Sequence, residues 1–187
     1  MSSPDRPLRA DAARNRARVL EVAYDTFASE GLSVPIDEIA RRAGVGAGTV
    51  YRHFPTKDDL FRAVVEDRIQ RIVDEGRAVV AGEDPADGLF VFLRSVVLQW
   101  GATDQGLKEA LAGSGVHIEA VKAETEEAFL AVLGDLLKKA QKAGTARRDL
   151  DVRDVKAILA GLFTVQQAAP DSAGRLVDVV LAGLRPS

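Results

Sequence analysis

"IDEIARRAGVGAGTVYRHFPTK", residues 36–57, decides how the rest of the chain is read. Ile36, Ile39, Ala40 and Ala43 fall at i, i+3, i+4 and i+7, the apolar face of a short helix. Pro35 fits the first turn of that helix, and Asp37 and Glu38 stand where its positive end favours carboxylates. Gly44 permits the left-handed backbone of a tight turn, which only glycine enters cheaply. Gly46 suits an N-cap, a second short helix reaches Phe54, and Pro55 stops it. Two short helices joined by a glycine turn form a helix-turn-helix, whose second helix enters the DNA major groove.

The residues of that second helix fit the task. Gly48 leaves a bare patch that allows close approach to base edges. Thr49, Tyr51 and His53 carry hydroxyl and imidazole donors of the kind used on phosphates. Arg52 is long and charged, and a guanidinium can bond a guanine edge with two hydrogen bonds. Lys57 is a cation in the first turn of the next helix, where it opposes the dipole at a cost of up to about 1 kcal/mol. A phosphate placed there would meet both the ammonium and the free backbone N–H groups. Each residue also has a plain reading: Tyr51 over a small core, His53 on the surface, Lys57 solvated. Their joint occurrence directly after the glycine turn favours DNA.

Outward from this stretch the periodicity stays helical. Val19, Leu20, Ala23 and Phe27 make one stripe before Gly31, and Thr56 with Asp59 matches an N-cap pattern ahead of Leu60, Phe61, Val64, Val65, Ile69 and Ile72. A helix from Asp84-Pro85 to Trp100, a short one within 102–115, and a long one from Val116 to Ala143 follow. Asp151 and Asp154 open the next helix, and Pro170 separates it from the last. No alternating strand pattern competes. The expected fold is all-α with about nine helices: a three-helix head at residues 1–56 on a helical body at 57–187.

Composition agrees. The chain of 187 residues is 47% hydrophobic and 28% charged, as a folded domain requires. It has no cysteine, which excludes disulfides, thiol catalysis and zinc fingers. The start "MSSPDRPLRADAARNRAR" lacks the apolar core of a secretory signal, and no stretch is apolar enough to span a membrane, so a cytoplasmic protein is expected. Net charge is −3, but residues 1–57 hold nine Arg/Lys against seven Asp/Glu, or +2, which leaves −5 for the remainder. The first eighteen residues carry five arginines and two aspartates. Such a basic front can grip a polyanion at one end; a solvated, unstructured arm has the same composition.

The run "IDEIARRAGVGAGTVYRHFPTKDDLFRAVV" resembles the DNA-binding region of the tetracycline-repressor (TetR) family, over about residues 12–66. The resemblance rests on Phe27, Gly31, Ile39-Ala40, Ala43-Gly44-Val45, Gly48-Thr49, Tyr51, Phe54, Lys57 and Leu60. It implies an all-α homodimer that represses transcription from a palindromic operator until a small molecule binds. It implies backbone contacts by Thr49, Tyr51, His53 and Lys57, and base-facing positions at Ala47, Gly48 and Arg52. Many members carry serine where Gly46 stands and a polar or basic residue where Ala47 stands, so direct readout is thin and rests on Arg52. Arg42 and the arginine-rich arm are candidates for further DNA contacts.

Beyond residue 66 only "AQKAGTARRDLDVRDV" and "VVLAGLRP" look like part of the family. The resemblance places a pocket among the helices that begin near 84, 116 and 151. Leu93, Val97, Trp100, Phe129 and Phe163 are its candidate apolar lining, with Gln99, His117 and Gln166 as polar anchors. Core packing is the alternative for every aromatic here and is expected to account for most of them. The helices at about 151–168 and 171–184 match where the family dimerises, and Leu159, Leu162, Val177, Val180 and Leu181 are the expected interface. Completion of the chain's own core is the alternative.

Function follows as a ligand-responsive DNA-binding repressor, with double-stranded DNA, a small apolar or amphipathic effector and a second copy as partners. No cofactor or metal is expected. An enzyme is disfavoured: "GVGAGT" lacks the GxGxxG spacing and follows a helix, and neither a Walker loop nor HExxH occurs. The alternative is a helical DNA-binding or protein-interaction module without a small-molecule ligand.

Overall fold

The stripes punctuated by glycine and proline become helices in the structure, a computed structural model that describes residues 5–82, 86–100 and 123–186. Among the described residues there are eight α-helices and no strand: α1 (Asp5–Glu30), α2 (Ile36–Ala43), α3 (Ala47–His53), α4 (Lys57–Ala81), α5 (Gly88–Ser95), α6 (Ala123–Lys142), α7 (Val152–Ala168) and α8 (Ala173–Ala182). The short helix expected within 102–115 and the first turns of the one expected from Val116 lie outside the described residues. A π-helical turn, Val96–Trp100, continues α5.

The described residues up to Asp67 form one compact unit. Its core takes Val19, Leu20, Ala23 and Phe27 from α1, and Ile36, Ile39, Ala40 and Ala43 from α2. Val50 and Phe54 enter from the α3 segment, and Leu60, Phe61 and Val64 from α4. Phe27 and Phe61 meet at 5.8 Å between ring centroids, tilted by 58°. Gly44 closes α2 at φ 65°, and the Val45 N–H donates to the Ala40 carbonyl at 3.0 Å, a bond that satisfies an otherwise orphaned helix end. Pro35 sits one position earlier than expected. It is the N-cap, and its carbonyl accepts from the Glu38 and Ile39 N–H groups. Thr56 and Asp59 form the expected reciprocal cap at the start of α4: the Asp59 N–H donates to Thr56 Oγ1 at 3.1 Å, and the Thr56 N–H to Asp59 Oδ2 at 3.1 Å. The arginine-rich arm is helical from Asp5 onward, as part of α1.

The described residues from Arg68 form the second unit, and α4 contributes to both. Leu89, Phe92, Leu93 and Val97 pack with Leu133 and Leu136 of α6, Val155, Leu159 and Leu162 of α7, and Val177 and Leu181 of α8. Four of the five residues expected at the dimer interface belong to this core. Leu159, Leu162, Val177 and Leu181 are at most 5% exposed and face the chain's own core. Of the five residues, Val180 alone points outward, at 37% exposure, beside Val179 at 65%. Residues 177 and 181 share one face of α8, and their neighbours turn away from it. Asp151 caps α7 by accepting from the Arg153 and Asp154 N–H groups, while Asp154 Oδ2 accepts from the Asp151 N–H. Arg94 ties α5 to Asp178 of α8 at 2.9 Å, and the Arg185 guanidinium lies 3.9 Å from the Phe90 ring centroid.

One glycine of this unit is required by close approach. A Cβ on the buried Gly76 of α4 would overlap Val132 Cγ1 and lie 3.0 Å from the Phe92 ring. Both neighbours are buried core residues. Gly76→Ala should therefore lower stability by about 1–3 kcal/mol through overpacking, although alanine is the better helix former. Adding Val132→Ala should recover part of the loss. Thermal unfolding of the two variants checks this, and a Gly76→Ala variant as stable as the parent would contradict it.

Candidate nucleic-acid interface

The site is built by what α3 turns inward. Val50 is buried, and Phe54, which caps the helix, follows it into the core; the Phe54 N–H donates to the Val50 carbonyl at 2.8 Å. This leaves Tyr51, Arg52 and His53 exposed as a consecutive run, with Tyr51 at 43%. Thr49 is half-buried one turn earlier. Gly46 is the N-cap, with no side-chain hydrogen bond, and a Cβ on Gly48 would meet no atom within 4 Å. Ala47, half-buried, starts the helix. The first turn of α3 is thus smooth and its last turn is polar.

The cations of this unit fall into two groups. Arg42 donates to both Glu30 and Glu38, and Arg41 donates to Glu38 at 2.7 and 2.8 Å. Lys57 Nζ donates to the Leu32 carbonyl at 2.9 Å and to the Ser33 carbonyl at 3.3 Å. Arg42 and Lys57, both candidates for DNA contact, are thus bonded within the head. The lysine that opposes the helix dipole is explained by two carbonyls of the α1–α2 connection. Arg14 pairs with Asp11, Arg18 with Asn15 and Arg62 with Asp59. Arg16 and Arg52 stand apart: among the described residues, neither has a carboxylate or carbonyl partner. Arg16 was not singled out by residue in the sequence, although the signal was there. Its helical neighbours Ala12, Ala13, Val19 and Leu20 offer no anion, whereas Arg14 has Asp11 one turn away.

The ion cluster has a pH signature. Hydrogen bonds from Arg41, then from Arg42, lower the Glu38 carboxyl from 4.5 to about 2. The Arg42 guanidinium is in turn raised above its usual value, first through its bond to Glu30. Bonding to the Thr56 hydroxyl lowers Asp59.

In the second unit, Leu93 and Val97 are wholly buried in the core, with Phe129 and Phe163 packed against it. Gln166 is one of the few buried polar side chains, at 5% exposure, and Gln99 is exposed. The structure brings these apolar candidates and Gln166 into one unit without opening Leu93 or Val97 to solvent. His117 and the side chain of Trp100 lie outside the described residues. No helix among the described residues is long and apolar enough to cross a membrane.

A helix-turn-helix head on an all-α chain defines a class of DNA-binding transcriptional regulator, and comparison with known proteins places the chain within it. Residues 19–64 match the tetR family of bacterial regulatory proteins, and residues 84–186 match the C-terminal domain of SbtR-like transcriptional regulators. A TetR transcription regulatory protein from Mycobacterium vanbaalenii is 58% identical, with 96% of this chain and 100% of that chain covered and a TM-score of 0.80. A TetR transcriptional regulator from Streptomyces coelicolor is 32% identical, covering 92% and 99% of the two chains, with a TM-score of 0.76. An HTH-type transcriptional regulator of Staphylococcus aureus (strain USA300) is 42% identical over 60 residues, 32% of each protein, so the match to this curated relative spans about a third of its length. The chain belongs to the TetR family of transcriptional regulators.

The lowered Glu38 carboxyl gives a test of the ion cluster. In the unfolded chain it takes up a proton near 4.5, in the folded head only near 2. Acid therefore favours unfolding across that window, and the contribution is present above it. Glu38→Gln should lose less melting temperature than the parent between about pH 5 and about pH 3. Equal losses would show that Glu38 adds nothing in the folded head.

Proposed function

We propose that the chain is a ligand-responsive repressor that binds a palindromic operator as a homodimer and releases it when a small apolar or amphipathic molecule binds the C-terminal body. The head at residues 1–56 reads DNA, and the body at 57–187 binds ligand and dimerises. The observation that carries the reading is the outward run of Tyr51, Arg52 and His53 behind the smooth first turn of α3. Arg52 reads a base edge; Thr49, Tyr51 and His53 hold the backbone. Ala47 and Gly48 let α3 approach the groove floor. The family and fold are those of transcriptional regulators.

Release requires the effector to favour a conformation in which the two heads no longer match the operator, because only differential affinity shifts an equilibrium. α4 is continuous from the head into the body and is the natural lever. The apolar cluster of Leu93, Val97, Phe129 and Phe163, with Gln166, supports an apolar effector with few polar anchors. The protein works in the cytoplasm, where its DNA is. Fluorescence anisotropy with the DNA flanking its own gene, followed by titration of amphipathic molecules, tests the reading. Binding that such molecules reverse supports it. Binding indifferent to all of them would favour a DNA-binding module without an effector.

Arg52→Ala should relax discrimination at one base position in each half-site, by about 1–3 kcal/mol, and leave other positions intact. Competition among single-base operator variants reads this out; a uniform loss would make Arg52 a phosphate contact instead. For dimerisation, the exposed Val179 and Val180 replace the buried leucines as the expected contact. Val180→Arg should place an unpaired charge in the interface, at a cost of several kcal/mol, and give monomers in sedimentation. A Val180→Arg dimer as tight as the parent would remove this face from the interface.

A further inference from the structure

Among the described residues, Arg16 presents a guanidinium with no carboxylate or carbonyl partner. It is exposed on α1 and lies over the Phe54 ring, 5.6 Å from the centroid. It also lines a shallow cleft between α1 and α3 together with Asn15, Thr49 and His53. Two of those cleft residues, Thr49 and His53, are backbone contacts in the reading above. We propose that Arg16 is the backbone-clamping cation of the head: α1 delivers its guanidinium to the same stretch of DNA phosphates that Thr49 and His53 face. The inference rests on the DNA-binding reading and adds to it a contact from outside the helix-turn-helix.

Three observations converge on it. First, the contact with the Phe54 ring limits the freedom of a long side chain before DNA arrives, and the exposed guanidinium keeps its fork of N–H donors for a phosphate. Second, the neighbouring cations are already occupied. Arg14 is paired with Asp11, Arg18 donates to Asn15 at 3.0 Å, and Arg42 is held between two glutamates. Withdrawing any of them to a phosphate would break an existing bond, whereas Arg16 gives up only exposure to water. Third, Lys57, which the family resemblance puts on the backbone, has its ammonium on the Leu32 and Ser33 carbonyls, so a phosphate contact there would also compete with existing bonds.

The salt dependence of binding separates the possibilities. The probe is a fluorescein-labelled duplex of mixed sequence, about three helical turns long, titrated with the full chain at about 50 to 200 mM salt. Arg16→Met, which keeps the stem over Phe54, should flatten the log–log salt slope by about 0.9 for each head engaged, and Arg16→Lys should restore most of it. A folded Arg16→Met protein, by circular dichroism, with the parent's slope overturns the proposal while the DNA-binding reading stands. A parent chain that binds no duplex, including that flanking its gene, sinks the reading and the proposal together. A measurement on the unsubstituted protein covers the case in which Arg16→Met does not fold. Phenylglyoxal modification, read by peptide mass spectrometry, should be blocked at Arg16 by saturating duplex. Equal modification of Arg16 with and without DNA overturns the assignment.

Discussion

The turn at Gly44 is the constraint on which the rest of the head depends. At φ 65° the chain ends α2 and leaves it in a direction that sends Val50 into the core, with Phe54 following. Once Val50 is buried, helical geometry turns Tyr51 and Arg52 outward, and His53, at the helix end, is exposed beside them. A residue with a Cβ at position 44 would strain the turn and misdirect that face. The exposed face of α3 is thus a by-product of how the small core closes around Phe27, Ile39 and Phe61, all of which are fully buried.

The electrostatics of the head divide in the same way. Carboxylates and carbonyls inside the unit neutralise or engage Arg14, Arg41, Arg42, Arg62 and Lys57. Among the described side chains, Arg52 on α3 and Arg16 over the α3 cap remain for a polyanion. A chain with net charge −3 can therefore bind DNA: a few uncommitted guanidiniums in the right place matter more than the total. The bare turn at Gly46–Gly48 lets those few groups come close.

Much of this was legible in the sequence because it is local. The stripes of α1 and α2, the left-handed glycine, the Thr56–Asp59 and Asp151–Asp154 caps and the exposed face of α3 each depend on residues within a turn or two. Tertiary choices were not legible. The periodicity marks Leu159, Leu162, Val177 and Leu181 as one apolar face, but a face turned to the chain's own core has the same spacing as one turned to a partner. Nor does spacing show that the carbonyls at 32 and 33 reach Lys57, because the connection that carries them is brought there by the packing of α1 against α2. The helical arm from Asp5 lay between two readings that composition alone cannot separate.

The central claim is that two such heads, related by a two-fold axis, hold DNA through α3 and its flanking cations. Hydroxyl-radical footprinting of the full chain on the DNA flanking its gene tests this most directly. The account predicts two protected patches on one face of the duplex, within inverted half-sites spaced about one helical turn or a multiple of it apart. A single patch without inverted symmetry, or no protection at a protein concentration that saturates binding, would contradict it.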